Sequence, residues 1–251
     1  MTDISLAVPV YNASPFLEGL FECLRSLERV PGEIVFLDDA SSDDSLQKVR
    51  MFVETATLPI PMRVIANERN LGIASAYNRL VNETRGKWLQ LLDGDDVLVE
   101  RDYYAQIAPA LAADNTLVIT GVESNSALLR SGSRWFGRFV PGHPPVWWPL
   151  LGSFATRSGV IYRRQSLIDH PFPDPMYPGS DVIHLLDLRC TGRCAFMSRP
   201  HVFHRVHEQS TSSRSRDYTG YRRQLARFGG VVRFTHRCDI ALRQLGHRWS
   251  R

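Results

Sequence analysis

The first hundred residues alternate between short apolar runs and amphipathic stretches, and few architectures accommodate that rhythm. Residues 4–10 (ISLAVPV) form an apolar run rich in β-branched side chains, as expected of a strand buried on both faces. From Ser14-Pro15 onward, Phe16, Leu17, Leu20, Phe21, Leu24 and Leu27 recur at three- and four-residue spacing. That spacing predicts a helix with proline in its first turn. A second strand is predicted at 34–37 (IVFL), a helix over 45–54, a third strand at 63–66, a helix over 73–82, and a fourth strand at 88–92 (WLQLL). Such alternation implies parallel strands joined by right-handed crossovers, with helices on both faces. The expected fold class is α/β: a Rossmann-like, mostly parallel sheet flanked by helices.

Beyond residue 100 the pattern loosens. Residues 117–120 and 159–163 read as strands and 180–189 as a short helix. Residues 124–149 are rich in Gly, Pro, Ser and Trp and read as loop. Residues 218–249 carry an apolar face (Tyr221, Leu225, Phe228, Val232, Cys238, Leu242, Leu245) and predict one or two helices broken at Gly229-Gly230. No linker or repeat divides the chain. The expected organisation is one domain over 1–213, with a first half to residue 100 and a second over 101–213, followed by a basic helical extension over 214–251.

At 251 residues and 43% hydrophobic, with five Trp, eight Tyr and twelve Phe, the chain supports one sizeable core and excludes extensive disorder. No stretch approaches the ~20 apolar residues that span a bilayer. The start, MTDISLAVPV, lacks the basic region and apolar run of a secretory signal, so a cytoplasmic protein is expected. Cys23, Cys190, Cys194 and Cys238 form no paired CxxC modules and read as free thiols of a reducing compartment. The net charge of +4 is unevenly distributed. Through His204, 19 Lys and Arg face 23 acids; from Arg205 onward, 11 Arg face three acids. The basic end has two readings: the solvated face of a packed terminal helix, or peripheral contact with the anionic inner face of a membrane. Nucleic acid is not expected as a partner, since no recognisable nucleic-acid module accompanies these arginines.

An open parallel sheet places its functional groups beyond the carboxyl ends of its strands. Polar clusters stand at three such ends: Tyr11-Asn12, Asp38-Asp39 and Asp93-Gly94-Asp95-Asp96. In the last, three carboxylates in four residues repel one another unless a cation sits among them. Oxygen ligands of this kind suit Mg²⁺ or Mn²⁺ with substrate phosphates. A solvated acidic turn capping the next helix is the bland reading. Neither GxxxxGK[ST] nor a GxGxxG after the first strand occurs, which argues against P-loop nucleotidases and dinucleotide oxidoreductases.

Taken together, VPVYNASPFLEGLFECLRSL, IVFLDDASSDDS and NERNLGIASAYNRLVNETRGKWLQLLDGDD, with HVFHRVHEQSTS more weakly, resemble the family-two glycosyltransferases of the GT-A fold across residues 4–213. The resemblance implies transfer of a sugar, with inversion, from a nucleotide-diphosphate donor to an acceptor hydroxyl, assisted by Mn²⁺ or Mg²⁺. It implies a saccharide or lipid-linked acceptor in surface polysaccharide or glycoconjugate assembly. By position, Pro9 and Tyr11 would border the base and Asp39 would bond its edge. Asp93 would contact the ribose, Asp95 would bind the metal, and Asn70 and Asn78 would line the donor cleft, with satisfaction of buried backbone groups the alternative for Asn78. Asp96 reads as a supporting or helix-capping residue.

The family's catalytic base usually lies in a Glu-Asp pair opening a helix. Here Asp181 takes the place of the Asp and Ser180 that of the Glu. His207, in RVHEQS, would approach the metal, and Arg205 the diphosphate. Trp147-Trp148 could stack an acceptor sugar or fill an irregular core; Gly152-Ser153-Phe154 and Arg157 stand loosely where acceptor contacts are expected. The competing functions are a catalytically inactive nucleotide-sugar binder and a nucleotidyltransferase on a similar sheet. The latter would need a Gly-rich basic loop where VPVYNAS stands.

Overall fold

The structure, a computed structural model, describes residues 3–125, 156–176 and 180–208. The expectations for Trp147-Trp148, Gly152-Ser153-Phe154 and the basic extension lie outside the described residues. The strands are β1 (Ile4–Val10), β2 (Glu33–Asp38), β3 (Met62–Ala66), β4 (Trp88–Leu91), β5 (Val97–Leu98), β6 (Leu117–Ser124), β7 (Val160–Arg163) and β8 (Cys194–His204). They are interspersed with helices α1 (Ser14–Ser26), α2 (Ser45–Thr55), α3 (Ile73–Glu83), α4 (Tyr103–Ala112), α5 (Arg164–Asp169) and α6 (Ser180–Thr191). One sheet runs in the order β3-β2-β1-β4-β7-β6-β8-β5.

The first half follows the alternation in the sequence. β1, β2, β3 and β4 are mutually parallel, and the strand order reverses between β1 and β4. That reversal opens a crevice at the carboxyl ends of the two strands. The second half adds an antiparallel component: β7 runs against β4 and β6, and β5 runs against β8, while β6 and β8 are parallel. The sheet is mixed rather than uniformly parallel.

The period of two along each strand sorts its side chains into two layers. Ile4, Leu6, Val8 and Val10, with Ile34 and Phe36, face α1, α2 and α4 through Leu17, Leu20, Phe21, Leu24, Phe52 and Ile107. On the opposite face Ala7, Val35 and Leu37 meet Tyr77 and Leu80 of α3 together with Phe172 and Leu185. Burial on both faces explains why β1 and β2 read as continuous apolar runs.

The turns after β1 and β2 hold each other. Asn12 takes a left-handed backbone (φ 50°), its N–H donates to Ser41 Oγ (3.0 Å), and its Oδ1 accepts from the Ser42 N–H (2.8 Å). The N–H groups of Ala13 and Ser14, at the start of α1, donate to Ser45 Oγ and Asp43 Oδ2. Much of the DDASSDDS motif thus caps α1 across the crevice lip, supplying acceptors that the helix start lacks. Among the described residues, no helix is long and apolar enough to cross a membrane. Cys23 and Cys194 are free thiols, and burial pushes the Cys23 thiol up to about 11 despite its bond to the Leu98 carbonyl.

Ala40 also adopts a left-handed backbone (φ 59°), a conformation that disfavours a Cβ by about 1–2 kcal/mol. Ala40→Gly should therefore stabilise the protein by about 0.5–1 kcal/mol after the greater freedom of unfolded glycine is subtracted. A higher urea midpoint at unchanged slope is the expected result.

Candidate active site

β4 delivers Asp93, Asp95 and Asp96 to the crevice, where carboxylate oxygens of all three lie within 4.8 Å of one another. Gly94 lets the turn pack closely on β1: a Cβ there would come within 3.3 Å of the Pro9 carbonyl oxygen. The three carboxylates then part company. Asp96 is fully buried, and its oxygens accept from Ser158 Oγ (2.6 Å), His204 Nδ1 (3.1 Å) and the Arg205 N–H (3.0 Å). Burial works against charge on His204. The Asp96 hydrogen bond and the neighbouring carboxylates outweigh it and raise the imidazole above its usual value.

Asp93 and Asp95 keep about a fifth of their side-chain surface open. Asp93 Oδ1 accepts from the Tyr77 hydroxyl (2.6 Å), and its backbone N–H donates to Ser158 Oγ (3.2 Å). Burial raises the Tyr77 pKa well above its usual value, so the phenol remains a neutral donor. Asp95 Oδ2 bonds His207 Nε2 (2.9 Å), and the His207 ring packs on Phe16 of α1, centroid to centroid 4.4 Å. Burial, then the charges of Asp96 and Asp93, push Asp95 up to about 6.

Arg157 faces this cluster from the 3₁₀ turn Arg157–Gly159 that precedes β7. Its Nε–H donates to the Tyr77 hydroxyl (2.6 Å), and its guanidinium lies 4.9 Å from the centre of the Tyr77 ring. One terminal nitrogen approaches Asp93 Oδ2 (3.4 Å) and the other Asp181 Oδ2 (3.7 Å). Asp181 therefore stands in the first turn of α6, across Arg157 from Asp93. Ser180, in the position where the resemblance expects Glu, is fully buried.

The remaining expected residues are distributed unevenly. Tyr11 is half exposed at the crevice lip, whereas Pro9 is buried within β1. Asp39 is nearly buried and already accepts from Asn67 Nδ2 (2.6 Å) and the Leu71 N–H (2.9 Å) on one oxygen and the Gly72 N–H (2.9 Å) on the other. Of the roughly four lone-pair sites of a carboxylate, about one is left for a ligand. Asn70 is exposed and forms an Asx turn onto Gly72 (3.0 Å). Asn78 makes the backbone pairing that its structural reading foresees. Both ends of its amide pair with the Phe172 backbone, Nδ2 to the carbonyl and Oδ1 from the N–H, each at 2.9 Å. Arg205 lies over the Phe16 ring (5.2 Å), and its Nε is buried without a partner among the described residues.

Sequence reasoning gave Arg157 only a loose acceptor contact and did not single out Tyr77, Ser158 or His204. All four reach the cluster from 16 or more positions away along the chain. A local pattern carries no sign of such partners.

A mixed sheet with its carboxylate cluster at the crevice between β1 and β4 defines the GT-A class of α/β proteins. Solved structures of that class superpose on the chain at low identity. The Staphylococcus aureus TarS 1–349 complex with UDP-GlcNAc aligns at TM-score 0.69 and 18% identity, over 97% of this chain and 72% of that one. The mannosyltransferase PcManGT from Pyrobaculum calidifontis, in complex with GDP-Man and Mn²⁺, aligns at TM-score 0.68 and 17% identity, over 97% and 73%. The family model for glycosyl transferase family 2 matches residues 5–170, and the chain belongs to that family. Among curated relatives, the succinoglycan biosynthesis protein ExoO of Rhizobium meliloti (strain 1021) is 27% identical over 227 residues, 84% of this chain. The chain spans 62% of the length of ExoO.

Because the folded pKa of Asp95 lies above the ordinary value near 3.8, its ionised form opposes folding. This contribution to stability is lost as pH rises from about 4 through about 6. In protein stripped of divalent ions at pH 7, Asp95→Asn should raise Tm by about 2–4 °C. The difference should vanish near pH 4, as thermal melts at the two pH values would show.

Proposed function

We propose that the chain is an inverting glycosyltransferase, moving a sugar from a nucleotide-diphosphate donor to an acceptor hydroxyl with the help of Mn²⁺ or Mg²⁺. The observation that carries this reading is the facing arrangement of Asp93 and Asp95 on the β4 side and Asp181 across Arg157. Inverting displacement needs the leaving group and the base on opposite faces of the reacting carbon, as in inverting hydrolysis with water replaced by the acceptor.

The residues fit a divalent cation. Asp96 is consumed by internal donors, while Asp95 keeps about a fifth of its side-chain surface open and has a raised pKa that a cation would relieve. Asp95 and His207 would hold the ion, with Asp93 alongside, a donor set suited to Mn²⁺ or Mg²⁺. When bound, the ion supplies positive charge to the diphosphate as it leaves. Tyr11 offers an exposed ring to the base at the crevice lip, with Pro9 behind it in β1. The free acceptor site on Asp39 suits an N–H of the base edge. Asp93 holds the ribose, and Asn70 and Arg205 flank the donor. Asp181 accepts the proton of the attacking hydroxyl, so the alkoxide character needed for attack develops only at the moment of transfer.

Likeness to a succinoglycan biosynthesis protein supports a role in polysaccharide assembly, in which we propose a saccharide or lipid-linked acceptor. We place the protein in the cytoplasm, and the arginines over 214–251 suit contact with an anionic membrane face.

A screen of nucleotide sugars with Mn²⁺ or Mg²⁺ should find a donor that raises Tm and is hydrolysed or transferred; no response to any donor would refute the reading. Asp181→Asn should lower kcat by about 10²–10⁴ while donor affinity, read from the Tm shift, stays near that of the wild type. Transfer at the wild-type rate would remove Asp181 from the role of base.

A further inference from the structure

We propose that Arg157 is the positioning residue of this site, a fixed internal cation that sets the base Asp181 against the donor carboxylate Asp93. The inference rests on the function proposed above and adds a residue to it. Asp181 has little else to orient it among the described residues. It sits in the first turn of α6, its carboxylate on two rotatable bonds, and its described ion pair is with Arg157. A base free to rotate does not stay near a reacting hydroxyl, and misplacement by about 1 Å lowers a rate by about 10².

Arg157, by contrast, is held from several directions. Its Nε–H is taken by the Tyr77 hydroxyl at 2.6 Å and its plane lies near the Tyr77 ring. Tyr77 is itself fully buried in α3 and bonded to Asp93 at 2.6 Å. The next residue, Ser158, is fully buried between the Asp93 N–H and the Asp96 carboxylate, which fixes the backbone from which Arg157 projects. The planar guanidinium has N–H groups pointing in fixed, divergent directions. Anchored at Nε, it presents one terminal nitrogen to Asp93 and the other to Asp181. The donor side and the base are thereby held at a set separation by a single rigid group. A lysine ammonium, a point charge on a flexible stem, could satisfy one carboxylate but could not reproduce that geometry.

The test uses the full chain with the donor and acceptor for which transfer is found, and compares Arg157→Gln, Arg157→Lys, Asp181→Asn and the Gln–Asn double variant. Arg157→Gln should lower kcat by about 10² with the donor KM changed less than about threefold, since Asp93 keeps its Tyr77 bond. Arg157→Lys should recover part of that loss. In the Asp181→Asn background, Arg157→Gln should cause almost no further loss of kcat, because residues acting as one unit are not additive. A purely structural role predicts otherwise: losses that multiply, a donor KM that rises with falling Tm, and no rescue by Lys. Any of these results would overturn the proposal, as would an unchanged kcat in Arg157→Gln. A wild-type chain that transfers no sugar would overturn the proposed function and this role with it, whereas an active wild type with an equally active Arg157→Gln would overturn this role alone.

Discussion

The site depends on one buried carboxylate. Asp96 has no exposed surface and would cost several kcal/mol to bury without partners. Its donors come from two distant parts of the chain: the Ser158 hydroxyl ahead of β7, and the His204 ring with the Arg205 N–H at the end of β8. Because these bonds cannot be forgone, the end of β4, the entry to β7 and the exit of β8 are locked into one unit. Ser158 tightens the lock by accepting the Asp93 N–H on the oxygen that donates to Asp96. Beneath it, Gln90 accepts from the Tyr104 hydroxyl and donates to the Tyr103 hydroxyl and the Ser158 carbonyl, a buried network with its polar groups paired. Asp93 and Asp95 ride on the same turn, so they are held in place while about a fifth of each side chain stays open.

This arrangement divides the chemistry between the two halves of the sheet. The parallel half supplies the carboxylates of the β4 turn, and the later half supplies the guanidinium and imidazole groups that face them: Arg157, His204 and His207. Neither half is a site alone. The family match over residues 5–170 includes Arg157 but stops short of β8, which ends at His204, and of His207 just beyond it. The last strand is therefore as necessary to the geometry as the first four.

What the sequence made legible follows from how local each signal is. β1 to β4 and α1 to α3 announce themselves because strands buried on both faces and helices buried on one have distinct periods. α4 went unread because Pro109 lies inside it, and proline ordinarily argues against a helix interior. β8 went unread because Arg199-Pro200-His201 breaks its apolar pattern, and its pairing with β6 shifts register between Ile119 and Gly121. In the site, the Asp cluster was visible because repulsion among adjacent carboxylates is a local fact. The partners of that cluster were not, since Arg157 and His204 meet it only in the folded chain. Asp39 and Asn78 mark the opposite difficulty. A polar side chain beside a crevice looks the same in sequence whether it waits for a ligand or, as in Asn78, holds the Phe172 backbone.

Formal charge gives a last constraint on what the crevice can accept. Asp93, Asp95, Asp96 and Asp181 are four carboxylates; Arg157 brings one fixed positive charge, and the neighbouring carboxylates raise the His204 imidazole above its usual value beside Asp96. Tyr77, kept neutral by burial, adds a hydrogen bond without adding charge. The excess falls on the Asp95 side, where the pKa is pushed up, and not on Asp181, which faces Arg157. An anionic diphosphate entering alone would meet like charge at the point of closest approach. In the proposed reaction, one divalent ion at Asp95 would balance the excess and make the same surface attractive to the diphosphate, while Asp181, opposed by Arg157, would act on the hydroxyl. On that proposal, holding an anion and removing a proton would fall to carboxylates with different neighbours: Asp95 beside two further carboxylates and the His207 imidazole, and Asp181 beside the Arg157 guanidinium.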